Sequence, residues 1–144
     1  MTATTIMKLD LSSLTNATTA LERSINAAKA YETTIPSELR DTVRSGIIQN
    51  FTVAYTLSWK TMQRWLEMNV SVNAVDGVSR RELFRYAAEH RLIHDVDVWM
   101  CFHTARDETP NTYDGAVAEE VGQIAKRFVS EAQALITSVH SRNG

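Results

Sequence analysis

The sequence predicts an all-α protein, an up-and-down helix bundle in which two short helices precede a last long one. Three observations carry that expectation. Apolar residues recur at intervals of three and four along most of the chain, the periodicity of a helix with one buried face. Five glycines and two prolines are few for 144 residues, which argues against a many-turned β-sandwich, a collagenous repeat or a disordered linker. With 44% hydrophobic and 22% charged residues, a chain of this length can bury a core as one domain. Residues 9–144 are therefore expected to form a single bundle, with residues 1–8 as a short N-terminal tail.

From Asp10 to Tyr31, Leu14, Ala17, Leu21, Ile25 and Ala28 step by three and four. Asp10, Ser12 and Ser13 are candidate N-caps at the start. The segment is rich in threonine as well as alanine, so its stability must come from packing one face. Pro36 suits the first turn of a second helix, and Glu38 favours the same end electrostatically. That helix is expected to run to about Glu67. Its apolar residues, from Leu39, Val43 and Ile47 to Trp65 and Leu66, cover more than one stripe, as in a helix that is central or shared with an interface.

Asn69 to Val78 reads as a loop with its turn at Asp76-Gly77. Ser79-Arg-Arg-Glu82 is a capping box opening a short helix, with Leu83, Phe84, Tyr86 and Ala87 facing inward in some combination. A second short helix, about Asp95 to Ala105, is expected to bury Val96, Trp99 and Met100. After Pro110, Asp114 can cap a last helix that buries Val117, Val121, Ile124, Phe128, Ala132, Leu135 and Val139. No internal repeat or low-complexity segment is present.

Composition removes several function classes. Fifteen basic and seventeen acidic residues give a formal net charge of −2, with no bulk cationic field for holding nucleic acid non-specifically. The lone Cys101 excludes an internal disulfide framework and a cysteine-cluster zinc site. No apolar run approaches the roughly 18 residues a membrane span needs. The opening residues MTATTIMK lack the basic start and apolar stretch of a secretory signal. The expectation is a soluble, cytoplasmic protein without a membrane partner.

The familiar chemical signatures are weak. His90 and His94 are four apart and could share a helical face as a metal pair. Neither Glu-x-x-His nor His-Glu-x-x-His occurs, so they read as polar residues near a helix end, and neither a metal nor a cofactor is expected. His140 falls in the last turn, where it complements the helix dipole. Cys101, among Trp99, Met100 and Phe102, reads as an inert buried thiol. No glycine-rich phosphate loop is present. Phe51, Tyr55 and Trp59, at spacing four, could stack bases, but on a long apolar helix packing is the better reading.

Arg106, Asp107, Glu108, Asn111, Tyr113 and Asp114 cluster at a helix–loop–helix junction, where bundles project side chains into shared clefts. They make the best candidate site. A purely architectural reading stands beside it: Arg106 satisfies last-turn carbonyls, Asp114 caps, and Tyr113 packs.

These residues, with several others in order, resemble the nucleotidyltransferase substrate-binding proteins, a branch of the HEPN superfamily whose toxin members pair with minimal nucleotidyltransferases. The resemblance spans about Lys8 to Ile136. It rests on Leu9-Asp-Leu-Ser-Ser-Leu14 with Leu21-Glu-Arg23, on Arg44-Ser-Gly-Ile-Ile-Gln-Asn-Phe51, and on Tyr55-Thr-Leu-Ser-Trp-Lys60 with Leu66-Glu67. Ser79-Arg-Arg-Glu82, Leu92-Ile93, Trp99-Met100 and Arg106 through Asn111-Thr-Tyr-Asp114 complete it.

The resemblance implies a homodimeric bundle with a cleft between protomers, and a separate minimal nucleotidyltransferase protein as partner. In toxin members an arginine, a histidine after four intervening residues and a tyrosine after one more form a metal-independent ribonuclease site. The tyrosine accepts adenylyl groups that silence the toxin. Arg106 matches the arginine and Tyr113 the tyrosine, while Asn111 stands in the histidine position. A carboxamide does not titrate, and losing general acid–base help typically costs on the order of 10²–10⁴ in rate. His103, one helical turn before Arg106, is a candidate replacement imidazole. Thr52 and Thr56 stand where relatives often carry glutamate.

The expectation is thus a non-catalytic substrate-binding subunit of a two-component nucleotidyltransferase system, with Arg106, Asp107, Asn111 and Tyr113 as its cleft and Tyr113 as a modification site. RNA or a nucleotide is the candidate ligand. The alternative is a ribonuclease toxin, with Arg106 catalytic, neutralised by adenylylation of Tyr113.

Overall fold

A computed structural model of the chain describes residues 8–112 and 114–142. Five α-helices and one short 3-10 turn make up its regular structure: α1 Ser12–Ala30, α2 Ser37–Asn69, α3 Arg80–Glu89, α4 Val96–Asp107, the turn Thr109–Asn111, and α5 Gly115–Arg142. Among the described residues there is no strand. The three long helices α1, α2 and α5 pack on one another, while α3 and α4 pack together and against α2, with α4 also against α5. The helix bundle expected from the periodicity is the fold observed, with the two short helices where the sequence put them. No described helix is long and apolar enough to cross a membrane.

α2 is the axis of the assembly. Its 33 residues extend about 50 Å at 1.5 Å per residue. Ile47, Ile48, Phe51, Ala54, Tyr55, Met62, Trp65 and Leu66 are buried, whereas Leu39 and Val53 are exposed. Ser58 is buried without cost because its hydroxyl donates to the Ala54 carbonyl at 2.8 Å. At the centre, the ring of Phe128 on α5 meets Phe51 at 5.3 Å, Phe102 at 5.1 Å and Trp99 at 5.7 Å, all edge to face. This is the favoured geometry for aromatic quadrupoles.

The helix starts follow local chemistry. Ser79 Oγ accepts from the Glu82 amide at 3.1 Å, the serine half of the expected capping box. Asp95 Oδ1 accepts from the Asp97 and Val98 amides, and Asp114 Oδ1 from those of Ala116 and Val117. At α1 the cap position falls on Leu11, and Asp10 instead reaches the Ser12 amide at 2.9 Å. Pro36 sits one position earlier than expected, as the N-cap residue of α2. Gly77 occupies the left-handed region at φ 68°, as the Asp76-Gly77 turn requires.

Several expectations about burial are corrected. α4 runs two residues further than predicted and buries Trp99, Phe102 and Ala105, leaving Val96 and Met100 half-buried. In the run Trp99-Met-Cys-Phe102, four consecutive apolar residues leave the phase of the helix undetermined. The same phase turns Cys101 outward, so it is an exposed thiol rather than a buried one. On α3, Leu83, Phe84 and Ala87 face the core, and Tyr86 is exposed. On α5, Val117 and Ile124 are half-buried at the edge of the core face, where the smaller Ala118 and Ala125 go fully inside. The two histidines share no helical face: His90 is the C-cap residue of α3, with its ring 5.7 Å from Trp65, and His94 is exposed in the following loop.

Candidate functional site

α4 ends in the residues that the sequence singled out. Its last turn carries His103, Arg106 and Asp107, and the 3-10 turn that follows carries Asn111. Pro110 sits in the first turn of that 3-10 segment, and the Asn111 amide donates to the Glu108 carbonyl at 2.9 Å. Asn111 is exposed, and its carbonyl accepts from the Asp114 amide at 3.1 Å, tying the turn to the cap of α5. Arg106 Nη1 lies 3.8 Å from Asp107 Oδ1, with the two side chains 45% and 58% exposed. Such a contact in water holds neither group firmly. Tyr113, placed in the cleft and as the modification site by the sequence, lies outside the described residues.

Beneath this exposed end is a second layer of polar chemistry. Tyr55, on α2 and 1% exposed, places its Oη 2.9 Å from His103 Nδ1. His103 Nε2 lies 3.5 Å from Asp107 Oδ2. Burial raises the Tyr55 pKa well above its ordinary value, so the phenol stays protonated. Asp107 pushes it further up, while Arg80 and Arg106 oppose the shift. A protonated phenol can donate to Nδ1 or accept from it, so the contact ties the imidazole to α2 in either tautomer.

Arg80 is the first residue of α3 and packs on α2. Its guanidinium carbon lies 3.4 Å above the centre of the Trp59 ring, a cation–π contact. Burial lowers the Arg80 pKa, while Tyr55 and Asp107 both favour its charge. The Arg80 Nε is buried and has no hydrogen-bond partner among the described residues.

The state of Tyr55 makes a stability prediction. Above about pH 10, the ordinary tyrosine value, the unfolded chain loses a proton that the folded chain keeps. Stability therefore falls as pH rises from there, by at most about 1.4 kcal/mol per pH unit. Urea unfolding at about pH 9 and about pH 11 should show a smaller loss in Tyr55→Phe than in the parent chain.

The sequence reached His103, Arg106, Asp107 and Asn111 but missed Tyr55 and Arg80 as site residues. Tyr55 lies on the apolar stripe of α2, where packing accounts for Phe51 and Tyr55 as expected and leaves neither free to stack a base. In the sequence, Arg80 stands only as an inner residue of a capping box. The open groove of about 880 Å³ between α1, α2 and α5 lies away from this cluster. Its Arg44 is already paired, with Asp41 at 3.0 Å and Glu119 at 3.4 Å.

Residues 9–141 match the family model described as nucleotidyltransferase substrate binding protein like. The chain belongs to this family. A relative in Haemophilus influenzae, named as a probable ribonuclease HepT, is 30% identical over 109 residues, 75% of each chain. A solved Haemophilus influenzae structure, described as the fold of a substrate binding domain of a nucleotidyltransferase, aligns with a TM-score of 0.86 at 27% identity. It covers 91% of this chain and 99% of that one. A crystal structure from Thermus thermophilus shares the fold, with a TM-score of 0.62 at 20% identity over 83% of this chain and 98% of its own. The family membership read from scattered motifs therefore extends over nearly the whole bundle.

Proposed function

We propose that this chain is the substrate-binding subunit of a two-component nucleotidyltransferase, a relative of toxin–antitoxin pairs that grips rather than cuts. As a cytoplasmic homodimer it would dock a separate minimal nucleotidyltransferase and present either a substrate or its own Tyr113. One observation carries the reading: the family match covers residues 9–141, yet the exposed turn after Arg106 carries an amide at Asn111 instead of a titrating imidazole. Arg106 can hold a phosphate through its fork of donors, but an amide moves no proton. The Leu39 and Val53 side chains leave α2 apolar surface for a second copy.

A second reading is favoured by the relative named as a probable ribonuclease. In it, Arg106 works in a metal-independent ribonuclease toxin that adenylylation of Tyr113 neutralises. His103 would have to supply the base. Its Nδ1 is taken by Tyr55 at 2.9 Å and its Nε2 faces Asp107 at 3.5 Å, which favours a ring held in place over one free to take a substrate proton.

Mixing the purified chain with a separately expressed minimal nucleotidyltransferase from the same genome tests the first reading. A co-eluting complex on size exclusion, with ATP-dependent adenylylation of Tyr113 or of a bound substrate, is expected. Absence of both a complex and adenylylation removes it.

A further inference from the structure

The groove between α1, α2 and α5 takes no part in the cluster at the end of α4. Its apolar surface comes from Ile25 and Ala28 on α1, Ile35 in the connecting turn, and Val43 and Ile47 on α2. A volume of about 880 Å³ suits one small molecule, whose sites typically measure about 300–1000 Å³. The α2 wall, from Ser37 to Ile47, is about 15 Å long, and a helix about 10–12 Å across laid along it would stand largely outside. On the opposite wall Gly122 lies in the interior of α5, where glycine is a poor helix former. A Cβ there would meet nothing within 4 Å, so packing inside the chain does not ask for glycine. The missing side chain widens the groove instead.

Charge selects the ligand. Four cations and three carboxylates line the groove, one excess positive charge in a chain whose net charge is −2. Arg44 takes both Asp41, at 3.0 Å, and Glu119, at 3.4 Å, and Glu119 also accepts from Gln123 at 3.1 Å. Lys29, Arg40 and Lys126, exposed on three different helices, have no carboxylate within ion-pair distance among the described residues. Against them stands one carboxylate without a cation, Glu32. An apolar floor under an excess of unpaired cations fits a monoanion with an apolar body. The stems of lysine and arginine can lie along such a body while their heads meet its ionised end. We propose that this groove binds an amphipathic monoanion of the long-chain carboxylate class. Its chain lies on Ile25, Ile35, Val43 and Ile47 beside Gly122, and its carboxylate meets the rim of Lys29, Arg40 and Lys126. The inference rests on the substrate-binding reading only in taking the bound molecule as a substrate.

Calorimetric titration of the full chain with dodecanoate below its micellar concentration tests the site, beside dodecyltrimethylammonium, which keeps the chain and reverses the charge, and acetate, which keeps only the head. Saturable binding of dodecanoate is expected, with the ammonium amphiphile at least about tenfold weaker and acetate not binding. Gly122→Leu should fold at least as well as the parent chain, because leucine is the better helix former, and should lose dodecanoate because its side chain fills the groove. Combining Lys29→Gln, Arg40→Gln and Lys126→Gln should weaken binding by about tenfold, as loss of several exposed charge contacts implies. Val72→Ala, exposed and outside the groove, should bind like the parent chain. Should Gly122→Leu fail to fold by circular dichroism, the variant with the three exposed cations removed decides alone. No saturable dodecanoate binding by the parent chain overturns the proposal. So does parent-like affinity in a folded Gly122→Leu or in the three-cation variant, an equal loss in Val72→Ala, or the ammonium amphiphile binding as tightly as dodecanoate. If dodecanoate does not bind and Gly122→Leu stops co-elution with the nucleotidyltransferase, the groove holds protein and the proposal falls while the docking reading stands. If dodecanoate binds as described and no complex forms, the docking reading fails while the site stands.

Discussion

Phe128→Ala is expected to destabilise the chain by about 3–5 kcal/mol, out of the ~5–15 kcal/mol that holds a domain of this size folded. Phe128 is completely buried and stands where α5 meets both α2 and α4. Its ring touches those of Phe51, Trp99 and Phe102 edge to face and lies 6.4 Å from Tyr55. None of these flat neighbours can close the gap without leaving its own contacts, so the cavity persists and its cost adds to the lost burial. The effect should extend to the site, because Tyr55 is held from below by the same ring. Urea denaturation of Phe128→Ala beside Val72→Ala, whose side chain is 77% exposed, separates the two cases. The exposed substitution should stay within about 0.5 kcal/mol of the parent. Equal midpoints for the two variants would mean that the aromatic centre is not where the bundle is held together.

The ends of this site were legible in the sequence and its floor was not. Asp95 and Asp114 announced the starts of α4 and α5, and the three- and four-residue spacing placed Val121, Phe128, Ala132, Leu135 and Val139 on the buried face of α5. The Arg106-to-Asn111 spacing drew attention to the junction because a family pattern and a helix end coincide there. α4 was harder: an unbroken apolar run carries no phase, so Phe102 was missed as core and Cys101 misplaced into it. Tyr55 and His103 are 48 residues apart, and their 2.9 Å contact is a product of how α2 and α4 pack. No local rule links a tyrosine on an apolar stripe to an imidazole on another helix. A buried hydroxyl needs a partner wherever the fold can provide one. Arg80 was hidden differently, since a capping box is an adequate explanation of Ser79 and Glu82 and invites no question about the residue between them.

Asn111→His is the substitution with the largest expected effect on chemistry. The turn Thr109–Asn111 presents position 111 to solvent, so an imidazole fits there without repacking. Arg106, half exposed, remains free to hold a scissile phosphate. Cleavage of RNA by its own 2′-hydroxyl is limited by proton movement, and a positioned titrating group typically contributes on the order of 10²–10⁴-fold. Asn111→His should therefore raise metal-free RNA cleavage by about that factor over the parent chain. Arg106→Ala in the same background should remove the gain, because phosphate is then no longer held. The gain should be confined to rate, with the thermal midpoint unchanged, since an exposed turn residue carries little of the stability.

The distinction between gripping and cutting comes down to the parent chain itself. The most direct measurement follows cleavage of a fluorogenic RNA by the isolated protein with chelator present, beside Arg106→Ala. Both traces are expected to stay at the buffer background. Robust turnover by the parent chain, abolished in Arg106→Ala, would contradict this and would make His103 the first group to test as the proton carrier.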